Sequence, residues 1–261
     1  RTAPLPAAPI AMAAMLVRRE RSSPAPLWPA DLFAIRPFRI AVAASVCCFT
    51  GQSAGFLALP FYLQLGLGRS PAETALVLTC WPLAVAVVGP IANRLSQRFS
   101  SALFCTVGAT ATGAGLLFSA LWPVGDSLWP LAIGASMGGL GFGLFQVPNN
   151  RTMFLGAPPA RSAAAGGVQG SARLSGQTFG ALLVGVLLAS LPPAEAARSA
   201  LGVASLFSLL AALVSALALP ATWRGTWTQP GLQGTPCVAA DSQTLHPVSS
   251  PAGVSTSRAI R

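Results

Sequence analysis

The apolar positions of this chain fall in long blocks rather than at amphipathic periods, and short breaks marked by Arg, Pro or Gly separate the blocks. Six of them approach the ~20 apolar residues that a bilayer core requires. They cover residues 39–63, 72–92, 102–121, 128–147, 164–191 and 196–219. The second opens with Ser70-Pro71-Ala72-Glu73, a capping-box spacing with proline at the first helical position. Pro192-Pro193 closes the fifth block and opens the sixth, and Pro220 closes the sixth. The apolar stretch 4–17 is too short to span and reads as the exit end of a truncated helix. Residues 18–38 read as a linker, 39–220 as a six-helix unit, and 221–261 as a disordered tail rich in Gly, Pro, Ser, Thr and Gln. The expected fold is all-α: a polytopic transmembrane helix bundle of six full spans plus a truncated N-terminal helix.

Composition agrees with lipid as the solvent. The 261 residues are 53% hydrophobic and only 8% charged, where soluble domains carry about 25% charge. A net charge of +10 raises the question of nucleic acid. However, the only local basic cluster is Arg18, Arg19 and Arg21, so the charge reads as membrane topology. Alternate loops hold the arginines: Arg18, Arg19, Arg21 and Arg36; Arg94 and Arg98; Arg151 and Arg161; Arg224, Arg258 and Arg261. The intervening loops carry only Arg69 and Arg198, beside Glu73, Asp126 and Glu195. Positively charged loops stay in the cytoplasm, so the linker and the tail are expected there, in a multi-pass protein of the cell inner membrane. Four of five cysteines lie within apolar blocks, and no disulfide framework, zinc spacing or cofactor motif is present.

The fifth block carries the most chemistry. At about 100° per residue, Gln169, Arg173 and Gln177 share a stripe with Gly166, Gly170, Gly176 and Gly180, inside an arc of roughly 120°. Val168, Phe179, Leu182 and Val186 occupy the other face. The glycine pairs, together with Gly134, Gly138, Gly139 and Gly143 in the fourth block, are expected to let neighbouring backbones approach. Arg173 is different, because a charge inside a span costs at least about 2.5–3.5 kcal/mol unless it meets water or a partner. It faces a cavity or partner, or else snorkels to the headgroups. Other polar candidates for a substrate path are Gln52 beside Thr50, Tyr62, Gln64, Trp81 near Thr79, Gln146, Asn149 and Asn150, with Pro82 and Pro148 as possible bends. Interhelical hydrogen bonding is the competing role for each. The sixth block has only Ser205, Ser208 and Ser215 and is expected at the periphery.

Several segments in order resemble the fourteen-helix drug:proton antiporter branch of the major facilitator superfamily. They begin with Pro26-Leu27, Leu32-Phe33 and Arg36-Pro37-Phe38, followed by Leu59-Pro60-Phe61-Tyr62-Leu63-Gln64, Gly68-Arg69-Ser70-Pro71 and Trp81-Pro82. Gly89-Pro90-Ile91-Ala92-Asn93-Arg94-Leu95-Ser96-Gln97-Arg98 resembles the second copy of the superfamily's cytoplasmic signature loop. The segments 143–150 and 166–176 complete the likeness, which covers about residues 26–219. It implies the C-terminal half of a proton-coupled exporter of drugs or other lipophilic toxic compounds. The implied partners are the lipid bilayer, the missing N-terminal half and a small-molecule substrate. Gly89, Asn93, Arg94 and Arg98 would form a conformational latch, weakened because Asn93 stands where the family usually has Asp; alternatively the arginines only set topology. Apart from the capping Glu73, no Asp or Glu lies inside a span, and His246 is in the tail. Proton coupling needs a group that titrates, so the coupling carboxylates are expected in the other half. No acidic, His or Cys constellation supports an enzyme. The alternatives are a non-transporting remnant of a truncated reading frame, or a transporter of another small-molecule class.

Overall fold

The computed structural model describes residues 30–122 and 127–219. The expected truncated helix 1–17 and the tail 221–261 lie outside the described residues. Among the described residues, six helices are long and apolar enough to cross a membrane: α1 (Arg36–Phe61), α2 (Pro71–Ser96), α3 (Ser101–Leu121), α4 (Trp129–Leu155), α5 (Ser162–Ser190) and α6 (Pro193–Ala216). The capping box forms as its spacing predicts, with the Ser70 amide donating to Glu73 Oε2 at 2.9 Å and the Glu73 amide to Ser70 Oγ at 3.3 Å. Gly68 takes φ 63°, a left-handed conformation that favours glycine, and turns the chain into that cap. Beyond Pro60, α1 widens into a π-type turn, Tyr62–Gly66.

Two boundaries depart from the hydropathy reading. The fourth block was expected to end at residue 147, but α4 runs on through Pro148 to Leu155. The signature segment is mostly not a loop, because α2 continues through Pro90 to Ser96. Hydropathy marks the stretch that lipid covers. A helix of 27 residues is ~40 Å long, against a hydrocarbon core of ~30 Å, so its polar last turns escape that measure. The linker is also structured in part, since residues Ala30–Ala34 form a short helix.

The helices α1, α6, α3 and α4 close a four-membered core in that spatial order, with α5 laid against α1 and α2 against α4. The flanking helices are the open ones: 22% and 28% of the most apolar windows of the fifth and second spans are buried, against 44% or more in the others. Large apolar side chains stand out of the bundle, Leu76 at 72% exposure and Leu213 at 63%, as lipid contact requires. The sixth span is not peripheral in packing. Its Ser205 Oγ donates to the Gly113 carbonyl of α3 at 2.8 Å, and its Ser208 fills the space beside Gly51 of α1.

Lipid tails are as apolar as leucine, so close backbone approach must hold these helices together. At the α3–α4 contact, a Cβ on Gly108 would lie 2.6 Å from both the Gly141 carbonyl and the Phe145 amide nitrogen. Thr112 Oγ1 bonds both the Gly108 carbonyl of its own helix, at 3.0 Å, and the Gly138 carbonyl across the contact, at 3.4 Å. At the α1–α5 contact, Cβ atoms on Gly176 and Gly180 would stand 2.7 Å and 2.5 Å from the carbonyls of Val46 and Thr50. Gly134, Gly139 and Gly143 are equally confined, by Ser119, Trp81 and Val88. The expectation fails at the start of the α5 stripe. Gly166 makes only ordinary contact with Phe154, and a Cβ on Gly170 would meet open space.

Gly108→Ala is therefore expected to destabilise the purified protein by about 1–3 kcal/mol, the usual cost of overpacking. Gly185→Ala, at an open helical site, is expected to leave stability unchanged or raise it by about 0.5–1 kcal/mol. Thermal melts in detergent distinguish the two.

Candidate functional site

Three helices bring polar side chains to a common aromatic backing. On α1, Phe49, Gln52 and Phe56 follow at i, i+3 and i+7; on α4, Phe142 and Gln146 at i and i+4; on α5, Arg173 and Gln177 likewise. The rings connect these stripes. Phe49 meets Phe142 edge-on at 5.4 Å, Phe142 lies 6.5 Å from Trp81 of α2, and Trp81 meets Phe56 at 6.4 Å. Such edge-to-face and tilted contacts are favourable ring arrangements. The glycines of α4 make room for this cluster, since a Cβ on Gly138 would strike the Trp81 indole.

Arg173 completes the wall. Its guanidinium carbon sits 5.6 Å from the centre of the buried Phe49 ring. Phe49 is level with Gly176, whose Cβ would lie 2.9 Å from that of Phe49. The guanidinium therefore packs against a ring of α1, and the contact gives no direction along the helix. A cation–π contact at an exposed site supplies about 0.5–1 kcal/mol. That is less than the ~2.5–3.5 kcal/mol cost of an arginine within a span. The difference calls for water or an anion at the guanidinium.

The sequence candidates divide into two groups. Among the described residues, the side chains of Gln52, Gln146, Arg173 and Gln177 make no hydrogen bond, and all four are half-buried or exposed. The others are engaged or elsewhere. Asn149 Nδ2 donates to Ser45 Oγ at 2.6 Å and joins α4 to α1, while Gln169 Nε2 donates to Asn150 Oδ1 at 3.2 Å and joins α5 to α4. Trp81 is a buried wedge behind the wall, 4% exposed. Tyr62 is buried against Gly66, and Gln64 is exposed at the far end of α1. The phenylalanine backing was missed by a search for polar residues. Its signal was the same i, i+4 spacing that marked α5.

A family profile described as Major Facilitator Superfamily matches residues 41–257. This chain belongs to the major facilitator superfamily. Among its relatives, the "Uncharacterized transporter YebQ" of Escherichia coli is 41% identical over 205 residues, 77% of this chain and 44% of the relative. The "Riboflavin transporter RibZ" of Clostridioides difficile is 31% identical over half of the chain, and the "Multidrug efflux pump LfrA" of Mycolicibacterium smegmatis 25% identical over 68%. The chain spans less than half the length of each. It is thus a multi-pass major facilitator chain with six apolar helices among its described residues.

The superfamily's signature segment is held differently from the expectation. Asn93 and Arg94 lie in the last turns of α2 and Arg98 just beyond; all three are exposed, and their side chains have no hydrogen-bond partner among the described residues. Gly89 meets nothing within 4 Å. The end of α2 is held instead by Arg151 of α4, whose Nη1 donates to the Ser96 carbonyl. Terminal carbonyls of a helix are unpaired acceptors at its negative end, so a neighbouring guanidinium satisfies both. At the opposite end Arg198 Nε does the same for Ala120, at 2.7 Å. Arg161 instead grips Asp31 through two bonds, Nε to Oδ2 at 2.9 Å and Nη2 to Oδ1 at 2.6 Å, which pins the short linker helix to the start of α5. Leu32 is buried beneath it with Phe38 and Met153.

The Arg161 guanidinium, chiefly through its hydrogen bonds, holds the Asp31 carboxyl below its usual value of 3.8. A carboxyl so lowered stabilises the docked state at pH above its usual value, and the contribution vanishes as pH falls through the lowered one. A spin label at Ala34 should accordingly be immobile from pH 8 to about pH 5 and become mobile well below that. Asp31→Asn should weaken the immobilisation at every pH and remove the acid transition.

Proposed function

We propose that the chain forms the C-terminal half of a proton-coupled exporter of drugs and other lipophilic toxic compounds in the cell inner membrane. The observation that carries this reading is the wall itself: unpaired amide groups and a guanidinium set before packed aromatic rings, on a major facilitator chain. A small molecule with an apolar body and a few polar atoms fits such a surface. Relatives named as a multidrug efflux pump and as a tetracenomycin C resistance and export protein support the direction of transport. The relative named as a riboflavin transporter favours a second reading, movement of one planar metabolite. A panel of substrates separates them, since a drug exporter moves several unrelated compounds.

Coupling belongs to the rest of the longer protein on this reading. Within the described spans the acids Glu73 and Glu195 lie in first turns, and arginine does not titrate. The full-length protein in liposomes should move lipophilic dyes when a pH gradient is imposed, and the 261-residue chain alone should move none. Gradient-driven transport by the chain alone would sink the claim that coupling lies elsewhere. Absence of transport by the full-length protein across the panel would sink the exporter reading.

The arginine-rich ends of the helices face the cytoplasm on the same reading. In intact cells, cysteines placed at the exposed Ser127 and Pro193 should react with an impermeant thiol reagent added outside. One at Gln97, exposed where its neighbour Ser96 is buried, should not. The reverse pattern contradicts the orientation.

A further inference from the structure

We infer that the wall binds planar aromatic molecules that carry negative charge, with Arg173 as the anion's partner. The inference rests on the transport reading above and adds the charge class of the ligand. Arg173 is the twelfth residue of a 29-residue helix, far from either end. The other arginines of the described spans lie in first or last turns, or, like Arg198, bond a helix-end carbonyl. Arg173 has no such role. Its five N–H donors meet no acceptor among the described residues, while the Phe49 ring lies on one side of it.

The polar residues of the wall have one electrostatic sign. Gln52, Gln146 and Gln177 are neutral, and no carboxylate stands among the residues of the wall. A cationic ligand would meet only repulsion at this end, whereas a carboxylate, sulfonate or phenolate oxygen would accept from the guanidinium fork. The ring system of such a ligand would lie along the aromatic backing, with the amides of Gln52 and Gln146 left for its remaining polar atoms. An interhelical ion pair would also satisfy Arg173, but it would make no use of the three glutamines of the wall. A ligand uses the whole set.

The test uses two dyes that share the xanthene ring and differ in charge: fluorescein, an anion at neutral pH, and rhodamine 123, a cation. Equilibrium binding to the full-length protein in nanodiscs of uncharged lipid is followed by fluorescence anisotropy. The wild type should bind fluorescein at least tenfold more tightly than rhodamine 123, a difference of ~1.4 kcal/mol or more. Arg173→Gln should bring the two affinities within about threefold of each other, and Arg173→Lys should keep an intermediate ratio, since an ammonium lacks the planar fork. Arg39→Gln, which removes an exposed arginine from the first turn of α1, should leave the ratio as in the wild type. Equal or cation-favouring binding by the wild type overturns the inference without any variant. So does a ratio that Arg173→Gln leaves unchanged, or failure of the wild type to bind either dye. Transport is read separately with the same protein in liposomes. Charge-selective binding without gradient-driven movement removes the exporter reading alone, and movement of cations only removes this inference alone.

Discussion

Close approach of backbones at glycine is the constraint on which this bundle depends. Within lipid no gain comes from hiding one leucine against another, and every backbone amide is already committed inside its own helix. What remains is dispersion between surfaces that fit, which grows as helix axes come together. Gly108 and Gly141 between α3 and α4, Gly176 and Gly180 against α1, and Gly51 against α6 are the places where the fit is made. The wall of polar and aromatic side chains follows from the same contacts. Gly138 gives Trp81 its seat, and Gly176 brings α5 near enough for Arg173 to cover Phe49. Side chains of any size at those positions would separate the stripes before their chemistry could meet.

Charge is arranged by a different rule, set by the cost of an unpaired arginine in lipid. At the helix ends that cost is small, and the arginines serve as clamps: Arg151 on the end of α2, Arg198 on the end of α3, and Arg161 on the linker helix. The first two use the negative end of a helix as their acceptor, so they hold position without adding an acid to the bundle. Arg173 stands far from either helix end and, among the described residues, has only a ring to offset that cost. This inequality makes it informative. The same residue type at residue 94 or 98 is exposed near a helix end and says little beyond topology.

The helices were legible in the sequence because hydropathy responds to lipid contact, and all four ends with a Pro or capping signal, the start of α2, the end of α5 and both ends of α6, fell within a few residues of their observed places. α4 overran by two turns because Asn149, Asn150 and Arg151 are polar, although the helix continues through them. The polar stripe of α5 was legible for the same reason of period. Which amides are free and which are tied was not, because that depends on neighbours far away in sequence. Asn149 and Gln146 sit one turn apart on α4, yet only Asn149 meets a hydroxyl, that of Ser45 more than a hundred residues earlier. Arg151 could not be told from Arg94 by spacing, since each lies near a helix end and only one lies beside a foreign carbonyl.

The wall behaves mechanically as one piece. Ser53 Oγ of α1 donates to the backbone carbonyl of Gln177 at 3.0 Å, between the confined Gly176 and Gly180. The polar atoms of α5 are thereby referenced to α1, and the Phe49–Phe142 contact references α1 to α4. Packed interfaces of this kind move as units rather than deform, because a small shift at a glycine contact already produces overlap. Relative motion therefore belongs to the surfaces that lack such contacts. Those are the outer faces of α2 and α5, the two least buried spans, and the open turn at Gly170. A change of state that reaches Arg173 would then alter what lies opposite it, while leaving the guanidinium, the ring beneath it and the neighbouring amides in their mutual geometry.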